Sequence, residues 1–581
     1  MNSETKQCQN CKQSFVVEPE DFNFYKKINV PPPTWCPECR MIRRMVWRNE
    51  RALYKLPCDL CGHRVISMFD RENHSFPIYC RECWWSDKWD PLSYGLGLDW
   101  GRPFFVQFQE LLGRVPKQNL WQTNVRGGEF SNFSRDNSDI YLSYSVIKAE
   151  SVYFSKNIDD SRWVFDCLDV QNSELCAEVI MGSHNYNCKY FLYSRDCIDS
   201  SFLFDCVNCK NCFLCSNLRG KEYCFENKQL TRDEYLKKIK SLDEGFQATE
   251  SVRRQFRELV RRSLHKYAQV TNCQNSLGHD LRDCRNVKYA FNSFEMENVS
   301  YAARCLKAKD CMDVNHIGRG TQLIYESVSG GAEDSYGVNF TVSGLGGFRD
   351  VYFTDHCQSI SDCFACVGLR NKQYCILNKQ YTKEEYESLV PRIIKHMNTM
   401  PYVDKSGRVY RYGEFFPPEL SPFAYNETIA EEYFPLSKEE ALSQGYRWKD
   451  PEIKEYKVTK LPKDLPDHIK DVDDGILKET IGCASNSDAQ GGRSPDSQTS
   501  GCTTAFRIIK EELQFYRKMN LPLPRLCPNC RHYQRLKQRN PLKLWHRRCM
   551  KPGCMNEFET PYAPERPEII YCESCYNAEV V

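Results

Sequence analysis

Sixteen cysteines near the two ends of the chain have the spacing of metal ligands. Near the N-terminus they form Cys-x-x-Cys pairs, and two such pairs can close a tetrahedron of sulfur around one Zn²⁺ ion. A site filled by four sulfurs is structural and keeps no position for a catalytic water. The predicted ligands are Cys8, Cys11, Cys36, Cys39, Cys58, Cys61, Cys80, Cys83, Cys483, Cys502, Cys527, Cys530, Cys549, Cys554, Cys572 and Cys575. We therefore predict zinc as the cofactor, at about four ions per chain.

The C-terminal ligand set departs from the N-terminal one at two points. The repeat that aligns the two ends places Thr499 opposite Cys8, so Cys483 must reach Cys502 across the intervening stretch. The next pair begins at Cys549 and has four intervening residues instead of two. The last site, which contains Cys549, is the better defined of the two C-terminal sites.

The first half of each terminal module has an ordered set of motifs. In the N-terminal copy they are Cys8-Gln-Asn-Cys11, Phe15, an acidic and aromatic stretch at 20–25, and Cys36-Pro-Glu-Cys39-Arg40. This order resembles a predicted treble-clef zinc-ribbon family, and the resemblance implies a fold and a metal but no activity. The whole chain is similar to uncharacterised cysteine-rich proteins of candidate-phylum bacteria, which implies a bacterial source.

Basic residues follow the second knuckle of each module. In treble clefs this knuckle starts a helix, so the basic side chains would project from a rigid, metal-anchored surface. We predict that this surface contacts the phosphate backbone of RNA or single-stranded DNA. The alternatives are that the arginines neutralise the negative Zn(Cys)₄ centres or lie solvated on the helix. The candidate contacts are Arg40, Arg43, Arg44, Arg48, Arg51, Arg531, Arg535, Lys537 and Arg539.

The central cysteines differ from the terminal ones. Cys206, Cys209, Cys212 and Cys215 are spaced superficially like an iron–sulfur ligand run. The internal duplicate of this stretch has Ile360 at the position of Cys209, and isoleucine can replace a buried apolar residue but not a ligand. We predict that most central cysteines are buried thiols; a metal or redox role is the alternative.

The middle of the chain is duplicated, because the stretch 213–229 recurs at 364–380. Both copies run into a threonine that can cap a helix, Thr231 or Thr382. Upstream of each copy, aromatic or β-branched clusters recur mostly every 11 or 12 residues, with small polar residues between them. Short strands at this spacing predict a β-solenoid of stacked coils, with a sandwich or barrel as the alternative.

The predicted fold is multi-domain and mainly β. Duplicated treble-clef zinc modules lie at both ends, and duplicated solenoid-like repeats with helical connectors lie between them. The predicted units are the N-terminal double zinc module 1–100, a connector 101–135, repeat half A 136–230, a connecting helix 231–270, repeat half B 271–381, a mixed helical connector 382–480, and the C-terminal double zinc module 481–581 with a flexible insertion at 484–501.

Composition and charge narrow the class of protein. Of the 581 residues, 41% are hydrophobic and 27% charged, as in ordinary soluble proteins, and no apolar stretch is long enough to span a membrane. The first residues lack the apolar core of a secretion signal, which indicates a cytoplasmic protein with reduced cysteines. The formal net charge of +2 becomes negative once thiolates bind zinc, so nucleic acid would need local basic patches.

Three classes of function stay open. The leading prediction is a zinc protein that contacts nucleic acid through its basic helices, and a protein–protein assembly scaffold is the first alternative. The second is a β-helix carbohydrate-active enzyme, but aspartate is common at turns and no nucleophile or phosphate motif occurs. We therefore assign no catalytic residue. The carboxylates that such an enzyme would use are Asp159, Asp160, Asp166, Asp169, Asp196, Asp199 and Asp205.

Overall fold

The computed structural model describes residues 2–330, 333–450, 456–486 and 501–580. The protein is mainly β and consists of several structural units, with cysteine-rich modules at both ends. Most of the insertion predicted at 484–501 lies outside the described residues. Within the described ranges, no helix combines the length and apolar character needed to cross a membrane.

The first large β-unit, which we call solenoid A (122–229), is a stack of parallel coils. Glu174 pairs with Tyr186, Tyr186 with Ile198, and Ile198 with Lys210, so each coil uses twelve residues. This agrees with the repeat seen in the sequence, although the coils begin at Gln122 and not at 136. The strands are Gln122–Arg126, Ser134–Tyr141, Tyr144–Ile147, Glu150–Tyr153, Lys156–Asp159, Arg162–Phe165, Leu168–Gln171, Glu174–Ser183, Tyr186–Leu192, Ile198–Phe204, Lys210–Ser216, Glu222–Phe225 and Lys228–Gln229.

The coils turn at residues with left-handed backbone spaced three apart. Asp160, Trp163, Asp166 and Asp169 have φ values of 45°, 53°, 53° and 57°. Aspartate and asparagine tolerate this region better than most residues, which explains the aspartates that recur along the repeat. The long strands Ser134–Tyr141 and Glu174–Ser183 run through such corners, and each pairs with strands on two faces of the stack. These pairings close a ring of seven parallel strands.

The second stack, solenoid B (270–380), has longer coils in its middle. Lys309 pairs with Gln322, Gln322 with Tyr336, and Tyr336 with Arg349, so extra residues bulge out of these coils. The pairing is parallel up to the last, antiparallel strand. The strands are Val270–Thr271, Gln274–Arg282, Arg285–Phe294, Glu297–Ala303, Ala308–Asn315, Thr321–Val328, Tyr336–Val342, Arg349–Asp355, Ser361–Phe364, Gln373–Ile376 and Lys379–Gln380.

The central cysteines lie inside the coils. All except Cys273 are buried, which confirms the prediction of buried thiols. A typical member, Cys167, lies 3.2 Å from the carbonyl oxygen of Phe165, to which its thiol donates a hydrogen bond. Burial raises the pKa of the Cys215 thiol to about 12, so this thiol is neutral at physiological pH.

Helices cover the ends and sides of the solenoids. Thr231 and Thr382 cap the helices that close solenoids A and B, because their side chains accept the backbone N–H groups of Glu234 and Glu385. The helices are Pro19–Lys27, Pro37–Met45, Arg81–Trp84, Phe104–Leu112, Arg232–Lys240, Phe246–Arg262, Lys383–Thr399, Ile429–Tyr433, Lys438–Ser443, Lys510–Met519, Pro528–Leu536 and Glu573–Val580. Short strands outside the solenoids are Glu4–Gln7, Ser14–Val17, Tyr54–Pro57, Arg64–Ser67, Ile78–Tyr79, Lys117–Gln118, Leu264–Lys266, Tyr402–Val403, Val409–Tyr410, Ile481–Gly482, Ala505–Phe506, Trp545–Arg548, Glu557–Thr560 and Ile569–Tyr571.

Each terminal module contacts both solenoids. In the N-terminal module, Ile78–Tyr79 pairs with Lys117–Gln118 just before solenoid A, while the helix Pro37–Met45 packs on the middle strands of solenoid B. The C-terminal module mirrors this arrangement, because Ile569–Tyr571 pairs with Leu264–Lys266 just before solenoid B. Its helix from the second knuckle contacts solenoid A through ion pairs. The two modules therefore brace the solenoids from opposite sides.

Candidate metal centres and the interface they support

The structure brings the sixteen predicted ligands together in four groups of four. In each group the sulfur atoms lie within 4.8 Å of one another. Cys483 joins Cys502, Cys527 and Cys530 as the sequence predicts, although a long stretch separates it from the rest. Four thiolates at this separation fit a single tetrahedral metal ion.

A similar local fold builds all four groups. In three groups a short β-hairpin carries the first two cysteines at its turn, as at Cys8 and Cys11 between Glu4–Gln7 and Ser14–Val17. In the remaining group Cys483 and Cys502 lie next to the paired strands Ile481–Gly482 and Ala505–Phe506, which a long stretch of chain connects. The third cysteine precedes a helix and the fourth lies in its first turn, as at Cys36 and Cys39. The helix therefore begins at the metal centre, and its position in the molecule depends on that centre.

A hydrogen bond common to the four groups prepares one sulfur for the metal. The backbone N–H of the third cysteine donates to the sulfur of the first, at 3.2 Å from Cys36 to Cys8 and at 3.2 to 3.3 Å in the other three. Burial raises the pKa of Cys58, but backbone hydrogen bonds from Cys80 and Cys61 outweigh it and bring that pKa to about 7. At Cys58 these hydrogen bonds thus favour the thiolate, the form in which a cysteine binds a metal ion.

None of the central cysteines belongs to a group with this geometry in the part of the chain that the structure describes. Cys209 is buried and donates to the carbonyl oxygen of Val207 at 3.4 Å. Its counterpart Ile360 is equally buried. The substitution seen between the two solenoids is therefore one apolar core residue for another.

Replacing Cys209 with valine is expected to leave metal content unchanged. The free energy of unfolding should change by less than about 1.5 kcal/mol, because the swap nearly conserves volume. Metal analysis and urea denaturation of the purified variant check both values. Loss of a bound ion from the variant would show instead that the central cysteines hold metal.

The predicted exposed basic surface is wrong for most of its residues. Arg51 and Arg539 are half-buried, and Lys537 is exposed. The other side chains lie inside the protein because carboxylates of the solenoids and connector surround them. These buried residues are Arg40, Arg43, Arg44, Arg48, Arg531 and Arg535.

The N-terminal helix arginines form a buried ionic cluster with solenoid B. Asp313 pairs with Arg40 at 2.9 Å and with Arg44 at 3.1 Å. Glu326 pairs with Arg44 at 3.0 Å and with Arg43 at 2.7 Å. All five side chains are at most 2% exposed. Such a cluster persists only because each charge has a partner.

The C-terminal helix makes the corresponding contacts with solenoid A. Asp166 pairs with Arg531 at 2.5 Å and with Arg535 at 2.7 Å. These two arginines occupy the positions of Arg40 and Arg44 in the repeated module. Asp166 also matches Asp313, because both lie at left-handed corners of a coil. The duplicated arginines therefore meet duplicated acceptors, each on the opposite solenoid.

The two terminal modules contact each other. Arg51 of the N-terminal module donates to the side-chain oxygen of Asn529 in the C-terminal module at 2.7 Å. Near this contact, Glu432 of the connector accepts from Lys156 of solenoid A and lies 3.1 Å from His532. All the main parts of the chain except solenoid B thus meet at one junction.

The acceptors of the arginines were not recognised in the sequence. The sequence pattern predicts Asp166 only as a turn residue or as a carboxylate of an enzyme, and it predicts no role for Asp313 or Glu326. The repeated spacing of the arginines in the two modules was a signal that these arginines have specific partners. A solvated surface does not require such a repeat. Asp166 and Asp169 are occupied by arginines, so the aspartates of the repeat do not form a free set of carboxylates.

Comparison with protein-family models and with curated proteins finds no match to this chain.

Proposed function

We propose that this chain is a zinc-stabilised binding scaffold. Each terminal module holds two Zn²⁺ ions in treble-clef folds and clamps one solenoid to the other. The observation that carries the proposal is the pairing of the helix arginines with buried carboxylates of the opposite solenoid. In this proposal zinc stabilises the assembled protein, and a partner binds to the outer faces of the solenoids.

The donor sets support zinc as the metal. Four thiolates close to one another form a soft, tetrahedral site, which suits Zn²⁺ and leaves no open position for catalysis. The hairpin turn followed by a helix at the third cysteine also suits a treble clef. The sites are therefore structural in this proposal.

A protein partner is favoured over nucleic acid by the burial of the arginines. Solenoid A has large apolar side chains on its surface in neighbouring coils, at Tyr186 and Ile198. Solenoid B exposes Tyr289 and Tyr336. Aromatic side chains on a rigid surface are common anchors of protein interfaces.

The full-length protein purified without chelators is expected to contain about four zinc ions per chain. Removing them should unfold the terminal modules, because structural Zn²⁺ contributes about 10–16 kcal/mol of apparent binding free energy. Inductively coupled plasma mass spectrometry gives the stoichiometry, and thermal melts with and without EDTA give the stability. Metal-free protein with an unchanged Tm would overturn the proposal.

Nucleic acid remains the alternative partner and has its own test. A mixed-sequence RNA is titrated into the zinc-loaded protein at several salt concentrations. Affinity that falls steeply with salt would indicate neutralised phosphates and favour the alternative. Absent binding, or binding that does not change with salt, is expected for the scaffold.

A further inference from the structure

A cavity lies where the N-terminal module and the two solenoids meet. Its volume is about 170 Å³, similar to protein cavities that hold a molecule of about the size of benzene. Arg48 lines it from the N-terminal module, Phe133 and Asp159 from solenoid A, and Arg304 and His316 from solenoid B. The cavity therefore exists only when the modules and solenoids are assembled.

The side chain of His316, which lines this cavity, makes no hydrogen bond. Its side chain is 5% exposed, and neither ring nitrogen makes a hydrogen bond. The nearest carboxylate oxygen, on Glu50, is 4.0 Å away. Two unsatisfied buried nitrogens are costly, and in a cavity they are available to a bound molecule. A neutral imidazole offers that molecule one donor and one acceptor.

The lining carries more positive than negative charge. Four arginines face the cavity, but only two carboxylates do, Asp159 and Glu333. The carboxylates that pair with Arg48 and Arg304, on Glu50 and Asp169, do not line it. Arg135 pairs with Glu333 at 2.7 Å, but its buried Nε makes no hydrogen bond. Arg319 lies 3.7 Å from the carboxylate of Asp160.

The protonation state of His316 is consistent with this field. Burial lowers the pKa of His316 well below its usual value, and the nearby cations Arg48, Arg304, Lys156 and Arg539 lower it further. The part of this shift that the cations cause indicates a positive potential at the imidazole ring. Apolar side chains complete the cavity wall, at Ile147, Leu306, Ile317 and Leu345.

We propose that this cavity binds a small organic anion, a carboxylate or phosphate ester that carries a hydroxyl group. The anionic group lies among the four lining arginines, and the hydroxyl and anionic oxygens satisfy the two nitrogens of His316. The short carbon body lies against the apolar wall. Binding at this position joins the N-terminal module to both solenoids, so the ligand stabilises the assembled protein.

The test is isothermal titration calorimetry of the full-length, zinc-loaded protein with malate, glycerol 3-phosphate and inorganic phosphate. At least one of the two organic anions is expected to bind with a Kd of about 1 mM or tighter. Neutral glycerol is expected not to bind. Binding of inorganic phosphate alone would overturn the organic-anion assignment, and binding of none below about 10 mM would overturn the site.

His316→Phe is the matched variant, with His184→Phe as its control. Both histidines occupy left-handed corners, with φ of 54° and 53°, and phenylalanine already occupies such corners at Phe133 and Phe202. The exposed control should bind like the parent protein. His316→Phe should weaken binding at least tenfold and leave the ligand-free Tm equal or higher, because it removes only unsatisfied nitrogens.

Unchanged affinity in His316→Phe would place any anion site elsewhere and overturn the inference. Zinc content is measured in every variant, and it should stay at the parent value. Failure of anion binding in a protein that keeps its zinc and its Tm would therefore leave the scaffold proposal standing. The two proposals are distinguishable in one set of samples.

Discussion

Cys36→Ser is expected to remove one metal ion and to unfold the first half of the N-terminal module. Cys36 is both the third ligand of its site and the residue that caps the helix Pro37–Met45. A lost structural zinc site costs about 10–16 kcal/mol of apparent binding free energy, which is comparable to the whole stability of a domain. Metal analysis should fall from about four ions to about three.

The damage should reach solenoid B. When the helix leaves, Asp313 and Glu326 lose the arginines that neutralise them in a buried place. Limited proteolysis should then cut solenoid B as well as the N-terminal module, while Cys209→Val should resist like the parent. A variant that keeps its zinc and its protease resistance would show that this site does not hold the helix.

The sequence predicted the four cysteine groups well because their determinants are largely local. In most groups a short turn holds the first two cysteines, and the start of a helix holds the other two. The repeat of the module predicted that the distant Cys483 belongs with Cys502. The coils were also predictable, since a strand that pairs with the next coil repeats its pattern every twelve residues. Ile360 opposite Cys209 correctly separated core thiols from ligands.

The burial of the arginines and their ion pairs could not be predicted in the same way. A helix with many charged residues is predicted to be solvated unless the carboxylates that pair with it are known. Asp313 could not be recognised as such a partner because it is far from Arg40 in sequence. The position of the acceptor aspartates at the corners of the coils also gives no sign of ion pairing, because aspartate is favoured there for its backbone conformation. The direction in which Asp166 and Asp313 point depends on how the modules dock, which is a long-range property.

The docking model itself is tested by Asp313→Ala. This change leaves Arg40 and Arg44 buried without their shared carboxylate, and removing one partner of a buried ion pair typically costs about 3–5 kcal/mol. Urea denaturation followed by far-UV circular dichroism measures the loss. Asp166→Ala should produce a loss of similar size, because it removes the shared carboxylate of Arg531 and Arg535.

Asp310→Asn is the matched control on the same strand. Asp310, whose side chain is 16% exposed, pairs with the half-exposed side chain of Lys27 at 3.0 Å, and such solvent-accessible pairs contribute less than about 1 kcal/mol. A cost for Asp313→Ala no greater than that of the control would mean that the helix is not held by its arginines. A large loss of stability in both Asp313→Ala and Asp166→Ala, with zinc retained, would show that two separate contributions position each helix. The metal ion holds the start of the helix, and the carboxylates of the opposite solenoid determine where the helix docks.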